Sequence, residues 1–405
     1  MTDWPGAFDG EFALHPLASH ISSEATSLGG NIMMARWTRR QWLAAAGSLA
    51  LTPAVFADAA TDSTRLLLET EFKKHGLQAL LCGVWRGEEN VSTTVLGNSM
   101  TGVPATADMH FRVGGVTLTS VCVLLLQFVD RGLVKLDDPL SKWFPNLPKA
   151  DQVTLQMLGN STSGYADYVP AESFQKASEA DPFRQWTAQE LIAIGMESPM
   201  LYAPGQGWNY AHTNFVILGE VLKKVGGKSM AALLNENLIR PLGLQQTKYI
   251  TTPQIPSPVL HAFTAERGTY EESTFWNPSW TSHTGLMIST LGDLGVLANA
   301  IGKGTLLSEA SRKELTAPTT VGLGINQPNL YYALGIGMMN GWLVQNPRFG
   351  GYNLIFAYLP AKQLSVVIST TMGPKCSPDV AYATTVFKEL VKELTPDTLI
   401  PDVVK

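Results

Sequence analysis

Tyr210 and His212 are the two residues of this sequence whose types and spacing best suit chemistry. A phenol is a weak acid, and an imidazole changes its charge near neutral pH. Two such groups, two residues apart, can therefore serve as general acid and general base when burial or a neighbouring group tunes them. In the alternative interpretation the Tyr210 ring only packs against a wall and His212 only fills space. The sequence leaves both interpretations open.

A second chemical pattern is a serine followed three residues later by a lysine, which places both side chains on one face of a helix. In such a pair the amine takes the proton of the attacking hydroxyl. Ser173 and Lys176 have this spacing. They lie in a polar segment with no strand before it, so we attribute the spacing to chance and predict no nucleophile there.

The histidines and cysteines do not form a metal-binding pattern. Metal sites in sequence show as closely and regularly spaced ligands. That spacing is missing from His15, His20, His75, His110 and His261, and from the three cysteines Cys82, Cys122 and Cys376. We predict no metal and no cofactor. The cysteines are expected to be buried free thiols, with one disulfide as the alternative if the protein is exported.

Composition limits the classes of partner. Of the 405 residues 45% are hydrophobic and 16% are charged, which is ordinary for a globular protein with a large core. The net charge is −5, and no long basic run is present. Nucleic acid and an anionic membrane surface are therefore not expected partners. A small-molecule or peptide-like ligand is the expected partner.

The N-terminal segment predicts export. From Met34 the chain has Arg39-Arg40, then a short apolar stretch, then small residues at the ends of Val55-Phe56-Ala57. This resembles a twin-arginine signal peptide. A membrane anchor or a buried helix is the alternative. We treat residues 1–57 as a leader whose true start is Met1 or Met34. The mature protein is expected in the periplasm or outside the cell without a membrane span, or in the cytoplasm if the leader does not function.

Strand patterns occur at both ends of the remaining chain and helical patterns between them. Alternating runs at 77–84 and 91–96 predict a hairpin, and apolar runs at 354–358 and 364–370 predict two more strands. This order favours an α/β fold of the α+β sandwich type. One antiparallel sheet is expected from about 58–115 and 325–395 of a single domain, 58–405. Helices cover it, and a mostly helical subdomain is inserted at about 116–324.

The stretch Phe111 to Thr119, FRVGGVTLT, is similar to the F-R-I-G-S-V-T-K-T signature of class C β-lactamases, related esterases and D-aminopeptidases. Other segments match in the family's order, and their joint order is more specific than any single match. They are 136–140, 158–164, 204–220, 241–244, 285–294 and 350–352. The chain therefore resembles the serine β-lactamase and penicillin-binding-protein superfamily over roughly residues 65–395. The resemblance implies the same fold.

The resemblance also implies a catalytic helix whose key residues are absent here. The family's serine position is Gly115 and its lysine position is Leu118. Glycine has no atom with which to attack a carbonyl, and leucine cannot move a proton. Loss of such a nucleophile costs on the order of a millionfold in turnover. Thr119 is interpreted as a packed helix residue and Ser163 as a loop or cap residue, so neither is expected to substitute.

The family's other two motifs are changed as well. The tyrosine and asparagine of the second motif correspond to Tyr210 and His212, at the mouth of the cleft. The third motif, with its cation, falls at Gln345 and Pro347, and proline removes a backbone donor. Gly115, Leu118, Gln345 and Pro347 are thus predicted to line the cleft. His283 is predicted to lie at the rim.

The sequence therefore predicts a protein that is not a conventional serine hydrolase. Coordinated loss of several parts of one apparatus favours a pseudoenzyme that binds a peptide-like or acylated small molecule in the cleft. The alternative is an enzyme with non-covalent acid and base chemistry, such as cyclisation, elimination or isomerisation, carried by Tyr210 and His212. A scaffold that uses only its surface is the third possibility.

Overall fold

The computed structural model describes residues 54–401. Residues 1–53 of the predicted leader, including Arg39-Arg40, lie outside the described residues. Within 54–401 no helix combines the length and the apolar character that crossing a membrane requires.

Fourteen strands are found in the described part of the chain, and most belong to one sheet. They are β1 Ala79–Arg86, β2 Glu89–Met100, β3 Val103–Pro104, β4 Phe111–Arg112, β5 Lys248–Tyr249, β6 Phe263–Thr264, β7 Glu271–Glu272, β8 Met287–Ser289, β9 Leu330–Tyr332, β10 Gly337–Met339, β11 Trp342–Gln345, β12 Arg348–Phe349, β13 Tyr352–Leu359 and β14 Leu364–Thr371. The large sheet has the order β3-β2-β1-β14-β13-β11-β10-β9, with β12 beside β13. All its ladders are antiparallel.

Ten α-helices accompany these strands in the described residues. They are α1 Ala54–His75, α2 Val116–Asp130, α3 Leu155–Gly159, α4 Glu172–Ala180, α5 Ala188–Gly195, α6 His212–Gly226, α7 Met230–Leu234, α8 Leu291–Lys303, α9 Glu309–Leu315 and α10 Tyr382–Leu394. Short 3-10 turns lie at Leu140–Lys142, Pro278–Thr281 and Pro360–Lys362, and a π turn at Asn235–Ile239 follows α7.

The centre of the large sheet is covered on both faces. Every residue of β13 and β14 is buried, which explains why these strands read as continuous apolar runs rather than alternating ones. Helix α8 packs closely on the sheet because Gly295 leaves room for the Trp85 ring, which a Cβ there would meet at 2.4 Å. On α10, Phe387 makes an edge contact with Trp342.

The predicted fold is confirmed. The hairpin pairs β1 with β2, and β1 joins the C-terminal strand β14, so both ends of the chain build one sheet. Helices α2 to α9 fall between the two groups of strands. The short strands β9 to β11, which complete the sheet edge, have too few residues to show a period in the sequence.

Two helix starts bring the candidate site together. Strand β4 leads through Gly114, whose φ is +46°, into α2, so glycine is needed at this turn. Helix α6 begins at His212, two residues before the start at Asn214 that its apolar pattern indicates. His212 is consequently a helix N-terminal residue rather than a loop residue.

Candidate active site

A cavity opens where the start of α2, the start of α6 and the end of β11 meet. Its free space is about 560 Å³, counting the open solvent at its mouth. The lining residues are Gly114, Gly115, Tyr210, His212, Thr281, Thr284, Gly285, Tyr332, Gly337, Val344, Gln345, Asn346, Pro347, Arg348 and Phe349. A concave site lined by backbone and side-chain donors suits a small ligand. Predicted cleft residues Gly115, Tyr210, His212, Gln345 and Pro347 all lie on its wall.

Gly115 caps the N-terminus of α2 and has ordinary helical backbone angles, φ −59° and ψ −9°. None of the described residues accepts a hydrogen bond from its backbone N–H. The first N–H groups of a helix lack partners within the helix and carry the positive end of its dipole. The start of α2 therefore offers a hydrogen bond to a ligand oxygen with negative charge.

Gln345 occupies the space beside Gly115 that a side chain would otherwise fill. Its Oε1 lies 2.7 Å from the position a Cβ on Gly115 would take. Its Nε2 donates to the Gly335 carbonyl at 2.7 Å and to Thr119 Oγ1 at 3.2 Å. Thr119 is buried and itself donates to the Gly335 carbonyl, at 2.6 Å. The amide of Gln345 is thus held in place against the head of α2.

Two residues predicted on the cleft lie elsewhere. Leu118 is 1% exposed and packs in the core behind Gly115, because an aliphatic side chain gains nothing from the polar cavity. His283 is not at the rim: it is 4% exposed, although its neighbours Thr281, Thr284 and Gly285 line the cavity. Its backbone is left-handed, φ +60°, and turns the ring inward.

The His283 ring lies in a buried polar chain. Its Nε2 is 2.9 Å from Glu220 Oε1, and its Nδ1 is 2.8 Å from the Tyr249 hydroxyl. Hydrogen bonds from His283 and Lys223 overcome the desolvation of Glu220 and lower the pKa of its carboxyl to about 2. Burial lowers the pKa of His283, against the opposing pull of Glu220. This chain supports the wall and does not face the cavity.

Asp167, His212 and Tyr210 form a carboxylate–imidazole–phenol array at the start of α6. His212 Nδ1 is 3.0 Å from Asp167 Oδ2, and the His212 backbone N–H donates to Asp167 Oδ1 at 3.0 Å. We assign the imidazole proton to Nδ1 because an ionised carboxylate only accepts. Nε2 then presents its lone pair to the Tyr210 hydroxyl, 3.4 Å away.

The imidazole and the carboxylate of the array are shielded from solvent, and Tyr210 is partly buried. The side chains of His212 and Asp167 are 6% and 7% exposed. Burial, with the negative charge of Asp167, raises the pKa of Tyr210 well above its usual range. Burial also raises the pKa of Tyr332, the second phenol on the cavity wall, well above that range. Both phenols are protonated at neutral pH and can donate hydrogen bonds into the cavity.

Sequence reasoning missed Asp167, which precedes His212 by 45 residues and has no motif spacing to it. Tertiary hydrogen bonds bring the two together. Thr213 Oγ1 donates to the Ala166 carbonyl at 2.7 Å and accepts from the Tyr168 N–H at 3.1 Å. Thr213 therefore fixes the segment around Asp167 to the start of α6. No local pattern in the sequence could have indicated this tether.

The other hydroxyls considered as nucleophiles lie outside the cavity lining. Ser163 donates to Asn214 Oδ1 at 2.5 Å and accepts from the Tyr165 N–H, which is a loop-stabilising role. Ser173 lies on α4 and donates to Glu197 at 2.7 Å. Its side chain is therefore engaged at the surface rather than beside Lys176.

The described residues hold no group of three or more His, Cys, Asp or Glu side chains placed to bind a metal ion. Cys82, Cys122 and Cys376 are free and buried. Burial raises the pKa of Cys82 to about 12, so this thiol is not a nucleophile.

The sheet flanked by helices, with a cleft at the head of a buried helix, is the architecture of the β-lactamase and penicillin-binding-protein superfamily. A sequence profile of the family described as Beta-lactamase matches residues 65–386, and the chain belongs to this family. It is 25% identical over 291 residues to the D-alanyl-D-alanine-carboxypeptidase/endopeptidase AmpH of Escherichia coli K12, covering 66% of this chain and 72% of that protein. Esterase EstB of Burkholderia gladioli is 28% identical over 167 residues, 38% of this chain and 42% of that protein.

Solved structures share the architecture. The D-stereospecific amidohydrolase from Streptomyces sp. superposes with a TM-score of 0.73 at 26% identity, covering 83% of this chain and 99% of that one. The D-amino acid amidase from Ochrobactrum anthropi SV3, complexed with D-phenylalanine, gives a TM-score of 0.73 at 21% identity, covering 84% and 99%, and this likeness concerns the fold. The relatives with described activities are hydrolases.

Proposed function

We propose that this protein is a non-covalent acid–base enzyme that acts on a peptide-like or acylated small molecule in the β-lactamase cleft. The observation that carries the proposal is the buried Asp167–His212–Tyr210 array on the cavity wall. A packing role for His212 does not require a carboxylate bound to both its backbone and its ring. A carboxylate at Nδ1 fixes the tautomer that leaves Nε2 able to accept a proton, which suits a proton-transfer role.

Each member of the array has a defined task. Asp167 accepts the Nδ1 proton and stabilises the positive charge that His212 gains when Nε2 takes a proton. Tyr210, whose pKa is raised, stays protonated and donates a hydrogen bond to the substrate oxygen. The Gly115 N–H supplies a second donor for that oxygen. In the isomerisation that deuterium would report, His212 Nε2 takes a proton from the carbon beside the substrate carbonyl, Tyr210 and the Gly115 N–H hold the negative oxygen, and the proton returns to carbon. No acyl enzyme forms.

Acylation chemistry is unsupported at the head of α2. Gly115 offers no hydroxyl, Leu118 no amine, and the amide of Gln345 takes the neighbouring space. Hydrolysis, the activity of the relatives, is therefore not proposed. A binding function without turnover is the second candidate, and the same loss of serine, lysine and cation favours it.

Deuterium incorporation tests the proposal. N-acyl amino acids and a metabolite extract are incubated with the protein in heavy water, and products are followed by mass spectrometry. We expect turnover with deuterium gained at carbon, reduced at least about a hundredfold in Tyr210→Phe and His212→Asn. Matched controls are Tyr331→Phe and His261→Asn, whose side chains bond Thr316 and Glu272 outside the cavity lining.

The controls should keep full turnover. If both cavity variants remain as active as the controls, the array is not the catalytic group and the proposal fails. If no compound is turned over but one raises the melting temperature of the wild type, the binding function replaces it.

Export remains part of the proposal because Arg39-Arg40, followed by a short apolar stretch, resembles a twin-arginine signal peptide. Fractionation of cells carrying Arg39→Lys and Arg40→Lys together tests it. Retention in the periplasm despite both changes would contradict twin-arginine export.

A further inference from the structure

The Gln345 amide has a fixed orientation on the cavity wall. Its nitrogen lies 2.7 Å from the Gly335 carbonyl oxygen and 3.2 Å from Thr119 Oγ1. The carbonyl can only accept, and Thr119 donates its own proton to that carbonyl. Both partners therefore require a donor from Gln345, and exchanging its nitrogen and oxygen would set an oxygen against two acceptors. The NH2 group points into the protein, and Oε1 is the atom beside Gly115.

The atom that Gln345 presents at the head of α2 is thus an acceptor. Its Oε1 lies 2.7 Å from the position of a Cβ on Gly115. Neither hydrogen bond of the Gln345 NH2 group involves this oxygen. Gln345 is 7% exposed and lines the cavity, so a donor from outside the protein reaches Oε1 through that cavity. A buried carbonyl oxygen without a donor costs free energy, which a ligand N–H would remove.

Tyr332 shares this part of the wall. Burial raises the pKa of its phenol, and hydrogen bonding with the Gln345 side chain opposes that rise. A carbonyl oxygen has two lone pairs, so contact with the phenol leaves one of them for a ligand. Gln345 therefore keeps its acceptor beside Tyr332.

The Gly115 N–H and Gln345 Oε1 form a donor and an acceptor at the same helix start. The N–H suits a ligand oxygen, and Oε1 suits a ligand N–H. An amide carries both groups on neighbouring atoms. An ester has only acceptors, and a carboxylate would bring its negative charge against the Gln345 oxygen.

We infer that Gln345 selects amides, because its Oε1 accepts a ligand N–H beside the carbonyl that the Gly115 N–H holds. The inference rests on the proposed function and deepens it, since it names amides, rather than esters or free acids, as the substrate class. Gln345 is a specificity-determining residue. It has no role in proton transfer.

Three matched probes test this without knowledge of the natural substrate. They are phenylacetamide, methyl phenylacetate and phenylacetate, which share the ring and the carbonyl and differ in the N–H and the charge. Side-chain NMR follows the Gln345 NH2 protons, assigned by their loss in Gln345→Met. A hydrogen bond to Oε1 shifts them because it draws electrons from the nitrogen. We expect a saturable shift with phenylacetamide up to about 50 mM, and affinities about fivefold weaker or more for the ester and the acid.

Gln345→Met keeps the length of the side chain and removes the acceptor. The preference for the amide over the ester should fall to about twofold or less in this variant, while the ester binds as it does to the wild type. The unchanged affinity for the ester shows that the cavity is intact. Gln327→Met, at an exposed glutamine outside the cavity lining, should keep the full preference.

Equal affinities of the wild type for the amide and the ester would overturn the inference. So would a tighter complex with phenylacetate than with phenylacetamide, or Gln345 signals that no probe moves. A preference for the amide that survives in Gln345→Met would assign the selection to another group.

The outcome is separable from that of the proposed function. Tyr210→Phe and His212→Asn should keep the preference for phenylacetamide, since neither changes the Gln345 amide. An amide preference in a protein that turns nothing over supports the inference and refutes the acid–base enzyme. Turnover by a protein that binds the amide and the ester equally does the reverse.

Discussion

The side-chain oxygen of Gln345 lies 2.7 Å from where a Cβ on Gly115 would be. Real Cβ atoms do not approach another atom so closely, and Gln345 is held by hydrogen bonds to Gly335 and Thr119. The two residues are therefore complementary. Glycine fits at position 115 because the amide of Gln345 fills the space that a side chain there would occupy.

This complementarity predicts the sign of a stability change. A glycine with φ −59° would normally gain about 0.4–1 kcal/mol on mutation to alanine, and serine is a favoured N-cap. We instead expect Gly115→Ala and Gly115→Ser to destabilise the protein by about 1–3 kcal/mol through overpacking. Urea unfolding measures the change.

A double-mutant cycle isolates the cause. Gln345→Ala removes the clashing oxygen, so Gly115→Ser in that background should cost little or should stabilise. Gly292→Ala, at a glycine with open space around it, is the control for the general effect of adding a Cβ. A stabilising Gly115→Ser in the wild-type background would show that Gln345 does not occupy this space.

The absence of a hydroxyl at Gly115 also predicts resistance to acylation. Incubation with a chromogenic β-lactam and an activated ester should leave the intact mass of the protein unchanged. The double variant Gly115→Ser with Leu118→Lys should give at most weak esterase activity, because the third-motif position still holds the uncharged Gln345 instead of a cation. Electrospray mass spectrometry after incubation provides the measurement. A stable adduct on a serine or threonine inside the cavity would refute the account of the missing nucleophile.

The sequence predicts the fold much better than it predicts the site. The hairpin, the terminal strands and the catalytic-type helix could be predicted because apolar periodicity and motif order are local properties. Gly115, Tyr210, His212, Gln345 and Pro347 line the cavity. Whether they perform chemistry stays a prediction.

What could not be predicted depends on tertiary contacts. Asp167 joins His212 through hydrogen bonds to Thr213, which no spacing encodes. The sequence predicts His283 at the rim from its position in the loop before Gly285, yet its left-handed backbone directs the ring to Glu220. The sign of a backbone φ angle and the partners of a buried side chain are set only when distant segments pack together.

The Glu220–His283 pair predicts loss of stability in acid. The pKa of Glu220 is about 2 in the folded protein against an ordinary 4.5, so its stabilising contribution is complete above pH 4.5 and is lost as pH falls towards 2. The pKa of His283 is lowered on folding, so protonation of the unfolded chain below its ordinary value, 6.5, also favours unfolding. Both groups therefore lower the stability of the folded protein as the pH falls.

Glu220→Gln should therefore be less stable at neutral pH by about 1–2 kcal/mol, after allowance for solvent screening, and should lose less stability in acid than the wild type. The free energy of unfolding in urea from pH 7 to pH 3 measures both effects. Glu309→Gln, from an exposed pair with Lys313, is the control and should change stability little. Parallel pH profiles for Glu220→Gln and wild type would contradict the assignment.

Asp167→Asn tests the array through the tautomer of His212. Asparagine keeps an oxygen for the His212 backbone N–H, but its amide nitrogen cannot accept the Nδ1 proton. The proton should move to Nε2, which then no longer accepts from Tyr210 or from a substrate. We expect turnover to fall by about 10²–10⁴, and 15N NMR of His212 to report the exchange of protonated nitrogens. The pKa of Tyr210 should also fall, because the charge of Asp167 helps to raise it.

Glu272→Gln, beside His261 outside the cavity lining, should change neither turnover nor the His212 signals. Full turnover in Asp167→Asn with an unchanged tautomer would mean that Asp167 only anchors the start of α6.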